Sequence, residues 1–373
     1  MTMRTPVLFA ALAADLLLRS GDAAACAAAP VSTSGEIGAG AQRIIIATRE
    51  GATEVVVEMT VPQTIADYGV LIPVPVRPTL DPVPVDSDDI DQVDQATRPQ
   101  IYDGSGSSSG GGIGCGSASD RGGLNDLGVE VIQKVDIGPL EVVVLTATAA
   151  SDLTRWLTSN GFKIPNGKEQ VLTRYTGVGN YFIAARRNDH SAAGSASRIG
   201  VHFTLPGTQL TIPLPATQLG SGGFLGVTLF VATDGGVGSM TPYAPLTLND
   251  LDEELLSSDY RGAVQAAVTS RAGLAFVVEG IYPNGAANIL PNRLAAFTSP
   301  GATLTRMSTV AEPSSFTTDL TVAVAGAPAE APSSRTVGEP AESGCNTAKG
   351  QVTSLAYLFY FTAYWRLRRR ARR

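Results

Sequence analysis

Glycine and proline interrupt this chain so often that long helices have little room, with 40 glycines and 23 prolines in 373 residues. Glycine costs a helix interior backbone entropy, proline removes an N–H and clashes with the preceding turn, and both suit the turns between strands. Charged residues make up only 16%, which also excludes a coiled coil and a charge-rich disordered chain. The length is enough for a sizeable core without metals or crosslinks. The fold class predicted is α+β, predominantly antiparallel β with two or three helices, flanked by an N-terminal signal peptide and a C-terminal membrane helix.

Apolar runs bounded by turn residues give the strands. Arg43–Thr48 (RIIIAT) and Glu54–Thr60 (EVVVEMT) flank Arg49-Glu50-Gly51-Ala52 and predict a hairpin. Tyr68–Val76 carries Pro73 and Pro75, which predicts an edge or terminal strand because proline cannot donate to a central ladder. Further strands are expected at Val129–Val135, Glu141–Thr146, Tyr181–Arg186, Ile199–Thr204, Gln209–Pro213 and Gly226–Thr233. Helices are expected at Ser87–Thr97, where Ile90 and Val93 lie three apart, at Ser151–Ser159 ahead of Asn160-Gly161, and over Asn249–Thr269. Residues 104–123 read as a Gly/Ser-rich loop.

Charge separates the two ends from the body. Residues 345–373 carry Lys349 and six arginines with no acid, net +7, while residues 1–25 are neutral and the body between carries −14. An acidic body disfavours nucleic acid as a partner. At the N-terminus, Arg4, the apolar stretch Val7–Leu18 and Ala23-Ala24-Ala25 before Cys26 have the order of an export signal, with an amphipathic N-terminal helix as the plain alternative. Lipidation of Cys26 is a further option. Toward the other end, residues 311–344 are rich in Ala, Pro and Ser and read as a linker, its far part, Gly326–Ser343, as a stalk. After Gly344-Cys345 comes the uncharged stretch Val352–Trp365, then Arg366, Arg368, Arg369, Arg370, Arg372 and Arg373. As a helix that stretch spans roughly 21 Å at about 1.5 Å per residue, short of a ~30 Å hydrocarbon core. Tyr357, Tyr360, Tyr364 and Trp365 suit the membrane interface, and the arginines can snorkel and act as a stop signal on the cytoplasmic side. A C-terminal helix docked on the body is the alternative.

Stalk, Gly-Cys, short apolar helix and arginine cluster together resemble the C-terminal sorting tags of bacterial surface proteins, most closely the myxobacterial type (MYXO-CTERM). The resemblance implies export, transient membrane retention, processing or lipidation at Cys345 and display at the cell surface or outer membrane. The partners it implies are the export machinery, a C-terminal processing protease and the membrane.

The chemistry-bearing residues are sparse. Cys26, Cys115 and Cys345 are odd in number, and if Cys345 is modified, Cys26 and Cys115 remain as a possible disulfide in an oxidising compartment. No spacing of these cysteines with His190 and His202 has the form of a metal motif, and no metal or cofactor is expected. Gly106-Ser107-Ser108-Ser109-Gly110 satisfies G-x-S-x-G inside low complexity, where the strand-to-helix context of a nucleophile elbow is missing. His190 reads as solvated, and His202 as a hydrogen-bonded surface or core residue. Asp86, Asp88, Asp89, Asp91 and Asp94 fail the calcium-loop spacing and suit a helix N-terminus instead. Glu253 and Glu254 are adjacent on a helix and point apart.

Ala41-Gln42-Arg43-Ile44-Ile45-Ile46 and Tyr68-Gly69-Val70-Leu71-Ile72-Pro73-Val74-Pro75 are followed in order by Ile137–Val142, Trp156-Leu157, Asn160-Gly161-Phe162, Asn180–Ala184, Asp259-Tyr260 and Ala275–Glu279. This collinear set, spanning Cys26 to Gly280, resembles the exported bacterial family called domain of unknown function 2330. The resemblance implies export and architecture and carries over no catalytic residue. The expected organisation is a signal at 1–25, an exported domain at 26–310, a linker at 311–344 and a sorting tag at 345–373. The expected function is a surface-anchored, non-enzymatic binding or envelope-structural module with an unidentified ligand. Its rivals are a polymer hydrolase whose carboxylates meet on folding and an uncleaved inner-membrane protein.

Overall fold

A computed structural model describes residues 29–32, 41–49, 51–61, 68–103, 128–177, 179–187, 197–208, 210–220, 223–324 and 334–337. The first strands are β1 (Ala29–Ser32), β2 (Ala41–Arg49), β3 (Ala52–Val61), β4 (Tyr68–Val74), β5 (Thr79–Leu80) and β6 (Gln100–Asp103), with helix α1 (Ser87–Thr97) before β6. Next come β7 (Val129–Ile137), β8 (Leu140–Ala147), α2 (Ala150–Ser159), α3 (Glu169–Thr173), β9 (Tyr181–Arg187), β10 (Ser197–Pro206), β11 (Leu210–Ile212) and β12 (Leu225–Thr233). The remainder is β13 (Val237–Thr241), β14 (Ala244–Thr247), α4 (Glu253–Ser258), α5 (Tyr260–Thr269), β15 (Ala275–Tyr282), α6 (Ala286–Ile289), α7 (Asn292–Ala295), β16 (Thr303–Ala311), β17 (Leu320–Val324) and β18 (Ser334–Val337).

The architecture is α+β and sheet-rich. An eight-stranded sheet in the order β14-β15-β16-β12-β2-β3-β10-β5 packs on a five-stranded sheet, β1-β4-β9-β8-β7. A three-stranded sheet, β11-β17-β13, adds to the core. Pairing is antiparallel except for β12 with β2, β14 with β15 and β18 with β6. Ile44, Ile46, Val55 and Val57 from the large sheet meet Val70, Ile72, Val142, Val144 and Ile183 from the smaller one in a shared core. The outer face of the five-stranded sheet, with Leu71, Val143, Leu145 and Phe182, is covered by Leu153, Trp156 and Leu157 of α2 and Leu172 of α3. On the opposite side, Ile45, Val56 and Phe230 of the eight-stranded sheet pack under Ile90 and Val93 of α1 and Leu294 of α7. Runs such as Ile44-Ile45-Ile46 are therefore apolar without alternation, because both faces of the strand are buried.

The predicted hairpin is β2–β3, turned through Gly51 at φ 80° and paired Arg43↔Glu58 through Arg49↔Ala52. Helix α1 has the expected bounds, and the Asp86 side chain caps it by accepting from Asp88 N at 2.9 Å. The helix expected over Asn249–Thr269 is two helices. Asp259 leaves the helical region at φ −149° and ψ 83°, and its carboxylate accepts from Gly262 N to cap α5. A residue spent as an N-cap cannot also continue the helix before it.

Strand β4 corrects the edge-strand expectation in part. It lies between β1 and β9: among the described residues β1 pairs with Tyr68–Leu71, and Pro73 pairs with Phe182 of β9. Within β4, a Cβ on Gly69 would overlap the Phe162 ring. Gly69→Ala is expected to lower stability by about 1–3 kcal/mol, the usual cost of overpacking. Urea denaturation checks this, and an unchanged midpoint would mean that the Phe162 ring moves aside freely.

The linker boundary also moves. Residues expected in the linker form β17, the central strand of its sheet, and Phe316, Leu320 and Val322 are buried. The alternation Leu320-Thr321-Val322 is a period-two strand pattern inside an Ala/Thr-rich stretch. Ser334–Val337, expected within the stalk, pairs in parallel with β6. Among the described residues no helix is long and apolar enough to cross a membrane. The signal segment, the Gly/Ser loop and the stretch Val352–Trp365 lie outside the described residues.

Candidate functional site

Folding brings carboxylates together on the helix-covered face of the eight-stranded sheet, and each group encloses a nitrogen-bearing side chain. In β3, Glu54, Val56 and Glu58 alternate onto that face. Arg43 bridges Glu58 and Asp91, with Nε 2.7 Å from Glu58 Oε2 and Nη1 2.6 Å from Asp91 Oδ1, and Arg198 donates to the same Asp91 oxygen. His202 lies between Glu54 and Asp81, with Nε2 2.7 Å from Glu54 Oε2 and Nδ1 2.9 Å from Asp81 Oδ2. Arg293 closes this group onto Asp81, and Thr204 donates to the other Glu54 oxygen at 2.7 Å. Burial raises the Asp81 carboxyl, but the Val83 amide, Arg293 and His202 outweigh it and leave the pKa below the ordinary range.

The third group is the most deeply set. A bulge between Val278 and Gly280 interrupts the pairing of β15 with β16 at Glu279, whose carboxylate meets Arg306 and Ser308. Tyr260 of α5 donates to Glu279 Oε1 at 2.6 Å. Arg306 also donates to Asp94 Oδ1 at 2.7 Å and Thr97 Oγ1 at 3.1 Å, with its guanidinium 5.2 Å from the Phe230 ring centroid. Burial opposes the Arg306 charge, yet Glu279 and Asp94 hold its pKa above the usual arginine value. These groups fasten α1 and α7 to the sheet. The space between their carboxylates, where a hydrolytic pair would hold substrate or water, is filled by side chains.

A different arrangement occurs where one end of the five-stranded sheet meets β11 and β17. A cleft of about 230 Å³ is lined by Pro73, Val74, Pro75 and Pro213 together with Arg174, Tyr175, Asn180, Thr211 and Asp319. Arg174 and Tyr175 follow the short helix α3, and Asp319 immediately precedes β17. Tyr175 donates to Asp319 Oδ1 at 2.7 Å, while Arg174 Nη2 donates to the Thr317 carbonyl at 2.9 Å. Burial pushes the Asp319 carboxyl above its ordinary value, against the pull of the Tyr175 hydrogen bond and the Arg174 charge. Burial, reinforced by Asp319, likewise raises the Tyr175 hydroxyl. A half-buried carboxyl with a raised pKa in a cleft of mixed apolar and polar lining has the character of a ligand site.

The Asp319 shift has a signed consequence for stability. Its folded pKa lies above the unfolded one, so its contribution is fully present below the unfolded pKa and is lost as pH rises through the folded value. Asp319→Asn keeps an acceptor for Tyr175 and removes the titration. Relative to the native chain it is expected to gain stability as pH rises above the ordinary 3.8, in paired denaturation series. A difference that stays flat with pH would contradict the shift.

Of the residues singled out from sequence, His202 is buried and hydrogen-bonded, and Asp86, Asp91 and Asp94 serve as a cap and as ion partners of α1. Glu253 and Glu254 lie in the first turn of α4, where Asp252 is the cap. Cys26, Cys115, Cys345, His190, Ser108, Arg366, Arg368, Arg369, Arg370, Arg372 and Arg373 lie outside the described residues. Arg174, Tyr175, Asn180 and Asp319 were not legible as a set, because only the packing of β17 brings Asp319 to α3. The Leu320-Thr321-Val322 alternation was the signal that would have drawn Asp319 out of the linker.

No curated protein matches this sequence. Among solved structures, the crystal structure of baculovirus P35 aligns over 80% of this chain and 100% of that one, at 9% identity and a TM-score of 0.34, too distant to carry an argument. The family model for uncharacterized proteins conserved in bacteria, DUF2330, matches residues 20–323, which extends past Gly280 and takes in β16 and β17. The chain belongs to the DUF2330 family.

Proposed function

We propose that this protein is exported and anchored at the bacterial cell surface, and that its body is a non-enzymatic binding module with the Asp319–Tyr175 cleft as its ligand site. One observation carries the binding reading. The carboxylates grouped on the helix-covered sheet face are each bonded to an arginine or to His202, whereas Asp319 and Arg174 line a cleft and, among the described residues, hydrogen-bond to the Tyr175 hydroxyl and the Thr317 carbonyl. A polymer hydrolase is the weaker reading, since among the described residues Asp319 is the one carboxylate lining the cleft and the usual glycosidase chemistry needs two. Export and anchoring are supported by the Val7–Leu18 stretch ahead of Cys26 and by the order Cys345, apolar stretch, arginine cluster.

Epitope tags placed on either side of Cys345, followed by cell fractionation, test the localisation. The body tag is expected at the surface or outer membrane, separated from the tail tag. Full-length product confined to the inner membrane would refute surface sorting and favour a permanent inner-membrane anchor.

A further inference from the structure

The cleft holds one cation and one anion that are not paired with each other. Arg174 spends Nη2 on the Thr317 carbonyl, and among the described residues its other guanidinium nitrogens make no hydrogen bond. Asp319 receives one hydrogen bond, from Tyr175 to Oδ1, and its Oδ2 takes none among the described residues. The buried and half-buried carboxylates elsewhere in the body behave differently: Glu58 pairs with Arg43, Glu141 with Lys134 and Arg186, and Glu279 and Asp94 with Arg306.

We infer that the cleft takes a small zwitterion, a ligand bearing a carboxylate and an ammonium on a compact apolar body, in the class of free amino acids and short peptides. This rests on reading the cleft as the binding site. A ligand with only a carboxylate would satisfy Arg174 and be set beside the Asp319 charge, and one with only an ammonium would meet the reverse conflict. A neutral ligand would desolvate both charges without pairing either. A zwitterion answers both, with Asn180 as a further polar contact. Pro73, Val74, Pro75 and Pro213 give the apolar body a stiff surface. A volume of about 230 Å³ lies below the roughly 300–1,000 Å³ of drug-sized pockets.

Calorimetry on the purified full chain tests this with leucine and Leu-Leu as probes, separating free amino acid from peptide, and with N-acetyl-leucine and leucinamide as blocked controls. Binding of at least one probe is expected, with each blocked form of leucine weaker by about tenfold or more, as for a lost charged hydrogen bond. Arg174→Gln should weaken zwitterion binding by a similar factor while strengthening leucinamide, whose ammonium no longer faces a like charge, and Asp319→Asn should weaken the zwitterion while strengthening N-acetyl-leucine. Retained native circular dichroism in both variants shows that folding is intact. Blocked forms binding as well as the parents, or no heat from either probe at millimolar concentration, would overturn the zwitterion class. The cleft itself is tested separately by capture of envelope-extract components. Capture that is lost in both variants would keep the cleft as the site with a different ligand class, and capture unchanged in both would refute the cleft.

Discussion

Replacing Arg306 with methionine is expected to cost about 3–5 kcal/mol, the range for removing one partner of a buried ion pair. Side-chain exposure is 7% for Arg306 and 1% for Glu279, so the carboxylate left behind has no water to replace the lost charge. Asp94 and Thr97 of α1 lose a partner at the same time. The variant therefore loosens the helix as well as the sheet. Arg306→Met combined with Glu279→Gln removes the stranded charge while keeping an acceptor for Tyr260 and Ser308. The double variant should recover at least half of the loss. Urea unfolding of the three chains measures this, and a single-variant loss below about 1 kcal/mol, the range of exposed pairs, would show that water reaches Glu279.

Trp156→Ala is expected to cost about 3–5 kcal/mol, the range for truncating a buried aromatic. Trp156 is 3% exposed and stacks on Phe162 with centroids 6.4 Å apart, and with Leu153 and Leu157 it holds α2 on the five-stranded sheet. Trp156→Phe should cost under about 1.5 kcal/mol. Among the described residues the buried indole Nε1–H has no hydrogen-bond partner, so phenylalanine loses packing area but also removes an unsatisfied donor. Trp365, the only other tryptophan, lies in the C-terminal tail, so loss of native fluorescence from Trp156 follows unfolding of the body in the native chain, and circular dichroism follows it in the variants. Equal losses for alanine and phenylalanine would mean that the indole N–H is satisfied by water.

Local patterns were legible in proportion to how locally they are determined. The hairpin Arg43–Thr60 and the helix Ser87–Thr97 follow from turn residues, a capping aspartate and apolar spacing between near neighbours in sequence. Asn249–Thr269 was misread as one helix because the Asp259 side chain has a choice between continuing a helix and capping the next, and propensity alone does not separate them. Pro73 pointed to an edge strand, but β4 lies between β1 and β9 with Pro73 paired to Phe182, because the placement of β1 depends on another segment of the chain.

By itself the sequence determined the sheet-rich α+β class, most strands through β12 and the helices Ser87–Thr97 and Ser151–Ser159, because these depend on residue spacing and backbone chemistry, while β15, β16 and β17 were not read as strands. Tertiary structure decided what the charges do. Glu54, Glu58 and Glu279 look like ordinary strand glutamates until register places them beside His202, Arg43 and Arg306. Asp319 looks like a linker residue until β17 enters a sheet and sets it beside Tyr175. Neighbours such as Tyr175 and Asp319, 144 positions apart, carry no local signature. Only the burial of both against a common core fixes their distance, and that distance decides whether a charge is neutralised within the fold or left facing a ligand.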